Sequence, residues 1–127
     1  MDAQQIVNAA LKAASAVTSI ASTRVYPVIV PVGAGLPAVA IDVRPGGTVG
    51  GNVLANNVAI DVACIAHVES DMHGLVEAVQ ATLEGYNGGA DSTYLRSLYR
   101  DGYAESYDSE FNVWSGIVTF SGILIGA

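Results

Sequence analysis

A single cysteine, Cys64, means that this 127-residue chain can form no intrachain disulfide, and one buried-looking thiol fits a reducing compartment. Positive charge is equally scarce. Five basic residues face twelve acidic ones, a net charge of −7, so there is little with which to neutralise phosphates, and sequence-specific nucleic-acid binding is excluded as an expectation. No apolar run approaches the roughly 18 residues of a membrane span. Met1 is followed by no basic stretch leading into an apolar one, so the chain reads as soluble and unexported. Charged residues of both signs make up only 13% of the chain, about half the usual share. So few charges on a chain that is 51% hydrophobic point to surface that other subunits cover.

The parts from which an active site is built are also thin. His67 and His73 are six positions apart, one near a strand end and one on a helix, and fit no usual zinc spacing. Cys64 alternates with valines and reads as a small buried hydrophobe, not a nucleophile. Asp101, Glu105, Asp108 and Glu110 lack the spacing of a calcium loop and read as a solvated acidic face. Residues 44–52 (R-P-G-G-T-V-G-G-N) are rich in glycine, but no Lys-Ser/Thr and no helix follow, so they are no phosphate loop. No catalytic residue, cofactor or metal is expected.

What is present reads as one domain, residues 1–127, with the order α-β-β-β-α-β-β and an α+β fold: a twisted, mainly antiparallel sheet with two helices on one face. Residues 3–20 are predicted as one helix, with Ile6, Ala10, Ala13, Val17 and Ile20 on the inner stripe. Asp2 and Gln5 have capping-box spacing. Leu11 lies off that stripe and is a candidate contact with a neighbouring subunit. From Arg24 to Val43, two short apolar strands flank a turn between Pro31 and Pro37. Proline cannot donate to a sheet ladder, so Pro27 and Pro37 belong at strand starts, edges or bulges. The glycine-rich 44–52 segment is a flexible connection or long hairpin tip. Val53–Val68 is the longest predicted strand, with Val58, Ile60, Val62 and Cys64 alternating with Ala59, Asp61 and Ala63.

A second helix is predicted from a cap at Ser70 or Asp71, through the stripe Met72, Leu75, Val76, Val79 and Leu83, to a left-handed Gly85. Gly74, Ala78 and Ala81 form a strip without bulk on its back, where another element or subunit can pack closely. Residues 86–92 read as a loop, Tyr94–Arg100 as a strand, Asp101-Gly102 as a turn, and Val113–Ile125 as the last strand. Tyr94, Arg96, Tyr99 and Arg100 combine large area with polar tips and are further candidates for a subunit interface.

A helix running into R-V-Y-P at 24–27, then L-P-A-V-A-I at 36–41, then N-N-V-A-I-D-V-A-C-I-A at 56–66 and the helix A-V-Q-A-T-L-E-G-Y at 78–86 form one ordered pattern. From about Ile6 to Tyr86 it resembles the small tail-completion and tail-terminator proteins of long-tailed bacteriophages. It departs from the pattern at residues 46–51 and 101–110. The resemblance implies a non-enzymatic virion protein of the tail neck, assembled in the host cytoplasm. Such proteins form rings, commonly hexameric, at the head-proximal end of the tail tube, where they end tube growth and join the tail to the head connector. The implied partners are further copies of the chain, the tail tube protein and connector or adaptor proteins, with DNA passing through unbound and no membrane involved.

An acidic ring wall would repel phosphate and let a duplex slide. Asp42, Asp61, Asp101, Glu105, Asp108 and Glu110 are the candidates to face such a lumen. The segment Gly46, Gly47, Thr48, Val49, Gly50, Gly51 and Asn52 is the candidate docking loop. A head–tail adaptor or other neck or tube component is the alternative within virion proteins, and a small-molecule-binding or catalytic α+β domain the alternative outside them.

Overall fold

The alternation at 58–64 produces the central strand of the molecule. The structure, a computed structural model, describes residues 3–22, 24–31, 33, 35–49, 52–90 and 93–126. In it Val58, Ile60, Val62 and Cys64 all point into the core, and the strand β3 that carries them runs over Asn52–Ala66. The other strands are β1 (Val25–Pro27), β2 (Ala38–Val49), β4 (Gly88–Ala90), β5 (Thr93–Asp108) and β6 (Val113–Ile125). They form one curled six-stranded sheet in the order β1-β2-β3-β6-β5-β4. Every pairing is antiparallel except β1 with β2, so the sheet is mixed.

Three helices, not two, cover one face: α1 (Ala3–Ala13), α2 (Ser15–Ala21) and α3 (Glu69–Leu83). Ala14, with an extended backbone (ψ 113°), breaks the expected single helix. Within α1 the buried residues are Ala3, Ile6, Val7 and Leu11, so the inner face is rotated from the expected stripe and Ala13 is exposed. The rotation has an energetic reason. Burying a valine and a leucine gains about 1.5–3 kcal/mol each, and the alanines of the expected stripe offer far less. Leu11 is therefore fully buried in the chain's own core. The expected cap at Asp2 lies outside the described residues.

The stripe of α3 is inward as expected, with Met72, Leu75, Val76, Val79 and Leu83 all buried against Phe120, Val118 and the β3 residues. Its start differs. Val68 is the N-cap and makes no side-chain cap bond, while Glu69 and Asp71 fall in the first turn, where they favour the helix dipole. Gly85 takes the left-handed conformation expected of it (φ 73°). Its N–H donates to Leu98 O at 2.7 Å, which ties the end of α3 to β5.

The largest departure from the sequence reading is in β5 and its surroundings. Asp101-Gly102 is not a turn; the strand runs through it to Asp108, with irregularities between Arg96 and Tyr99 and between Arg100 and Gly102. The turn comes at residues 109–112 instead. Part of the expected 86–92 loop is β4, which pairs back on Thr93–Leu95; Asp91 and Ser92 lie outside the described residues. Prolines behave as expected. Pro27 ends the edge strand β1, and Pro37 stands just ahead of β2. Pro45 lies inside β2, where that strand has only β3 beside it, because β1 pairs only as far as Ile41. β2 therefore continues into the glycine-rich segment.

Candidate assembly surface

The helices leave the other face of the sheet open, and strand parity says what lies on it. Cross-strand partners share a face, so Ala40, Ala63, Ile117 and Ala104 make one row across four strands. Asp42, Asp61, Thr119 and Gly102 make the next, and Arg44, Ala59, Ser121 and Tyr99 the third. The central part of this face is thus built mainly of small side chains. Its one firm polar knot is Asp61, whose Oδ2 lies 2.9 Å from Arg44 Nε and whose Oδ1 accepts from Thr119 Oγ1 at 2.7 Å. Asp42 stands beside it, exposed, and the Asp101 carboxylate accepts from Ser121 Oγ at 3.0 Å.

The two ends of this face differ. At one end a groove of about 530 Å³ is bounded by Arg44, Asn57, Ser97, Tyr99 and Ile123. Tyr94 and Arg96 project on the same side, being paired with Ile125 and Ile123, and the Arg96 guanidinium lies 5.9 Å from the Tyr94 ring centre. At the other end the segment after β1 meets the β5–β6 turn. There Ile29, Val30, Asp108, Phe111 and Val113 line a depression of about 650 Å³. Ile29 is 73% exposed, Phe111 66% and Val28 61%, the three highest values among large apolar side chains of the described residues. Asp108 caps the turn, its Oδ1 accepting from the backbone N–H groups of Glu110 and Phe111.

On the helix side, α3 and β5 bring together three groups that sequence separation hides. His73 Nε2 lies 2.7 Å from Glu105 Oε1, and His73 Nδ1 lies 3.9 Å from Glu69 Oε1. The three offer one ligand atom each, all within 4.8 Å of one another, but both carboxylates are exposed, and exposed acidic groups commonly cluster without an ion. Tyr103 donates to Glu105 Oε2 at 3.4 Å, and burial, with the Glu105 charge adding to it, pushes the Tyr103 hydroxyl above the usual phenol range. Cys64 is fully buried, and burial alone pushes its thiol up to about 12. That leaves no thiolate for nucleophilic or metal chemistry near neutral pH.

Several expected interface residues have other roles. Leu11 and Ala78 are core residues, 0% and 7% exposed, and pack within the chain. Gly74 does serve close approach, but within the chain: a Cβ there would lie 3.2 Å from Ile20 Cδ1 of α2. Ala81 is exposed. Tyr94, Arg96, Tyr99 and Arg100 are all exposed, the first three on the open face. Arg100 is turned to the helix side, its guanidinium 5.6 Å from the Tyr103 ring centre. The six acidic residues do not share one wall. Asp42, Asp61 and Asp101 belong to the open face, Asp108 and Glu110 to its turn end, and Glu105 to the helix side with His73.

The candidate docking segment belongs to the hairpin of β2 and β3, one of the two forms expected of it. Gly46, Gly47, Thr48 and Val49 are part of β2 and Asn52 of β3; Gly50 and Gly51 lie outside the described residues. β3 meets β6 only from Ala55 onward, so this hairpin extends beyond the sheet. Ile29 and Phe111 were missed by sequence reasoning. The available signal was an aromatic residue inside the polar run D-S-E-F-N at 108–112, which no buried strand would contain.

The fold is a one-layer mixed sheet with helices on one side and an uncovered second face, an arrangement suited to packing against further chains. It is similar over nearly all its length to a solved chain from the virion of a native gene transfer agent particle. The TM-score is 0.76 at 18% identity, covering 98% of this chain and 95% of that one. No known family profile matches the sequence, and no curated protein matches it.

Proposed function

We propose that this chain is a structural, non-enzymatic protein of a virion, forming a closed ring at the head-proximal end of a tail tube, where it ends tube growth and joins the tail to the head connector. The observation that carries the virion part is the end-to-end likeness in fold to a chain of a gene transfer agent virion. The tail-terminator part draws on the ordered sequence pattern from Ile6 to Tyr86. A sheet face with apolar groups clustered at one end (Ile29, Val30, Phe111, Val113) supports assembly in general, because large contiguous apolar patches on monomers mark interaction sites. Rings arise from two different patches whose repeated rotation closes.

On this reading the acidic groups of the open face, Asp42, Asp61 and Asp101, line the path of the DNA, with the hairpin of β2 and β3 reaching to the tube or connector. Electron microscopy of the purified protein, with and without tail tubes, tests the proposal. Closed rings that cap tube ends support it, and unlimited polymerisation into tubes assigns the chain to the tube itself. A ring with all of Asp42, Asp61 and Asp101 on its outer rim removes the DNA-path assignment.

A further inference from the structure

We infer that copies of this chain join head to tail through the two ends of the open sheet face: the apolar, acidic end of one copy (Ile29, Phe111, Asp108, Glu110) seats against the Arg96–Tyr99 end of the next. The inference rests on the assembly reading above and assigns its contact surfaces.

Three observations carry it. The apolar end holds the most exposed large hydrophobic side chains among the described residues, and it holds them together with two carboxylates. Val28, next to Ile29, has φ 64°, a left-handed conformation that a β-branched residue adopts only at a cost. Its N–H is fixed to Ile41 O at 2.7 Å, so this costly turn is anchored to the sheet.

The other end offers the complementary chemistry. Arg96 is exposed, stacks on Tyr94 and makes no ion pair among the described residues. Arg44, held by its ion pair with Asp61, borders the same groove, and Tyr99 adds an aromatic surface 54% exposed. In a chain with twelve acidic and five basic residues, most relative orientations of two copies are repulsive. An orientation that brings Arg96 to Asp108 and Glu110 is attractive, and it places the exposed apolar groups against tyrosine.

The two ends cannot meet within one chain. Twelve positions of β5 separate Arg96 from Asp108, roughly 35–40 Å of strand. The contact must therefore be made by a second copy, and because the two surfaces differ, each copy keeps one of each for the next.

The test is sedimentation velocity with native mass spectrometry on the full chain at low and moderate salt, up to millimolar concentration. Wild type should self-associate, and Arg96→Glu or the pair Asp108→Arg/Glu110→Arg should each weaken association at least tenfold. Mixing the Arg96→Glu protein with the Asp108→Arg/Glu110→Arg protein should give heterodimers, since each supplies the surface the other needs. Because Asp108 also caps the β5–β6 turn, Glu110→Arg alone, which keeps that cap, should weaken association in the same direction, and circular dichroism should show every variant folded. As a direct check, Phe111→Cys mixed with Tyr99→Cys should cross-link under oxidation. A wild type that stays monomeric throughout, or association that ignores both charge reversals, overturns the inference. Closed wild-type rings insensitive to the reversals would leave the ring reading standing, whereas charge-sensitive open polymers would uphold these surfaces and remove the closed ring.

Discussion

Gly116 of β6 lies directly beneath Met72 of α3: a Cβ at position 116 would sit 2.7 Å from Met72 Sδ and 2.9 Å from Val76 Cγ2. The absent side chain sets how closely the helix approaches the sheet. Gly116→Ala should therefore destabilise the chain through overpacking, by about 1–3 kcal/mol. A lowering of Tm by roughly 4–12 °C in calorimetry is expected. An unchanged Tm would mean that α3 is held farther from β6.

Gly85 makes a different demand. Nothing lies within 4 Å of the position a Cβ would take, yet φ is 73°, so the requirement is conformational only. Gly85→Ala should cost about 1–2 kcal/mol from the left-handed backbone alone. Gly85→Asn should recover part of that, because asparagine tolerates this region better. Denaturant midpoints of the three proteins check the order Gly, Asn, Ala. Equal losses in both variants would point to crowding and not to backbone strain.

These two glycines mark what the sequence made legible. Gly85 could be read because it ends a helix whose stripe from Met72 to Leu83 is regular, and local period and a local cap tell the same story there. Gly116 could not be read, since its reason lies on an element some forty positions away. β3 was legible for the same local reason as α3. β5 was not: its irregularities after Arg96 and Arg100 break the two-residue period, and Asp101-Gly102 mimics a hairpin turn. The break at Ala14 carries no glycine or proline to announce it. In the candidate surface, the exposed tyrosines and Arg96 were legible by composition. Glu105 was placed with the other acids because sequence cannot tell which face a strand presents after a bulge.

Cys64 should be chemically silent in the folded chain. Burial holds its thiol up to about 12 against an ordinary 9.0. Thiol reagents at pH 8 should therefore label it only under denaturant, at the rate of global opening. The same shift sets a pH dependence. Between pH 9 and 12 the unfolded chain loses this proton while the folded chain keeps it, so stability is full below pH 9 and falls as pH rises through that window. The full difference is on the order of 4 kcal/mol. Cys64→Ala should flatten that decline, and urea titrations of both proteins from pH 8 to 11 measure it; parallel declines would remove Cys64 as the cause.

Leu11 and Tyr99 separate folding from assembly. Both were candidates for contact with other subunits, but Leu11 is 0% exposed among Ile6, Val7 and the sheet residues, and Tyr99 is 54% exposed on the open face. Leu11→Ala should thus lose about 2–5 kcal/mol of fold stability, because it leaves a cavity that its neighbours only partly fill. Tyr99→Ala should leave stability within about 0.5 kcal/mol of wild type. It should instead weaken self-association, since it removes the aromatic surface beside Arg96 without touching the core. Thermal melts and sedimentation on the same two proteins give the full comparison. If Tyr99→Ala lowered the melt while association stayed intact, the open face would be serving the monomer's own stability and the contact would have to lie elsewhere.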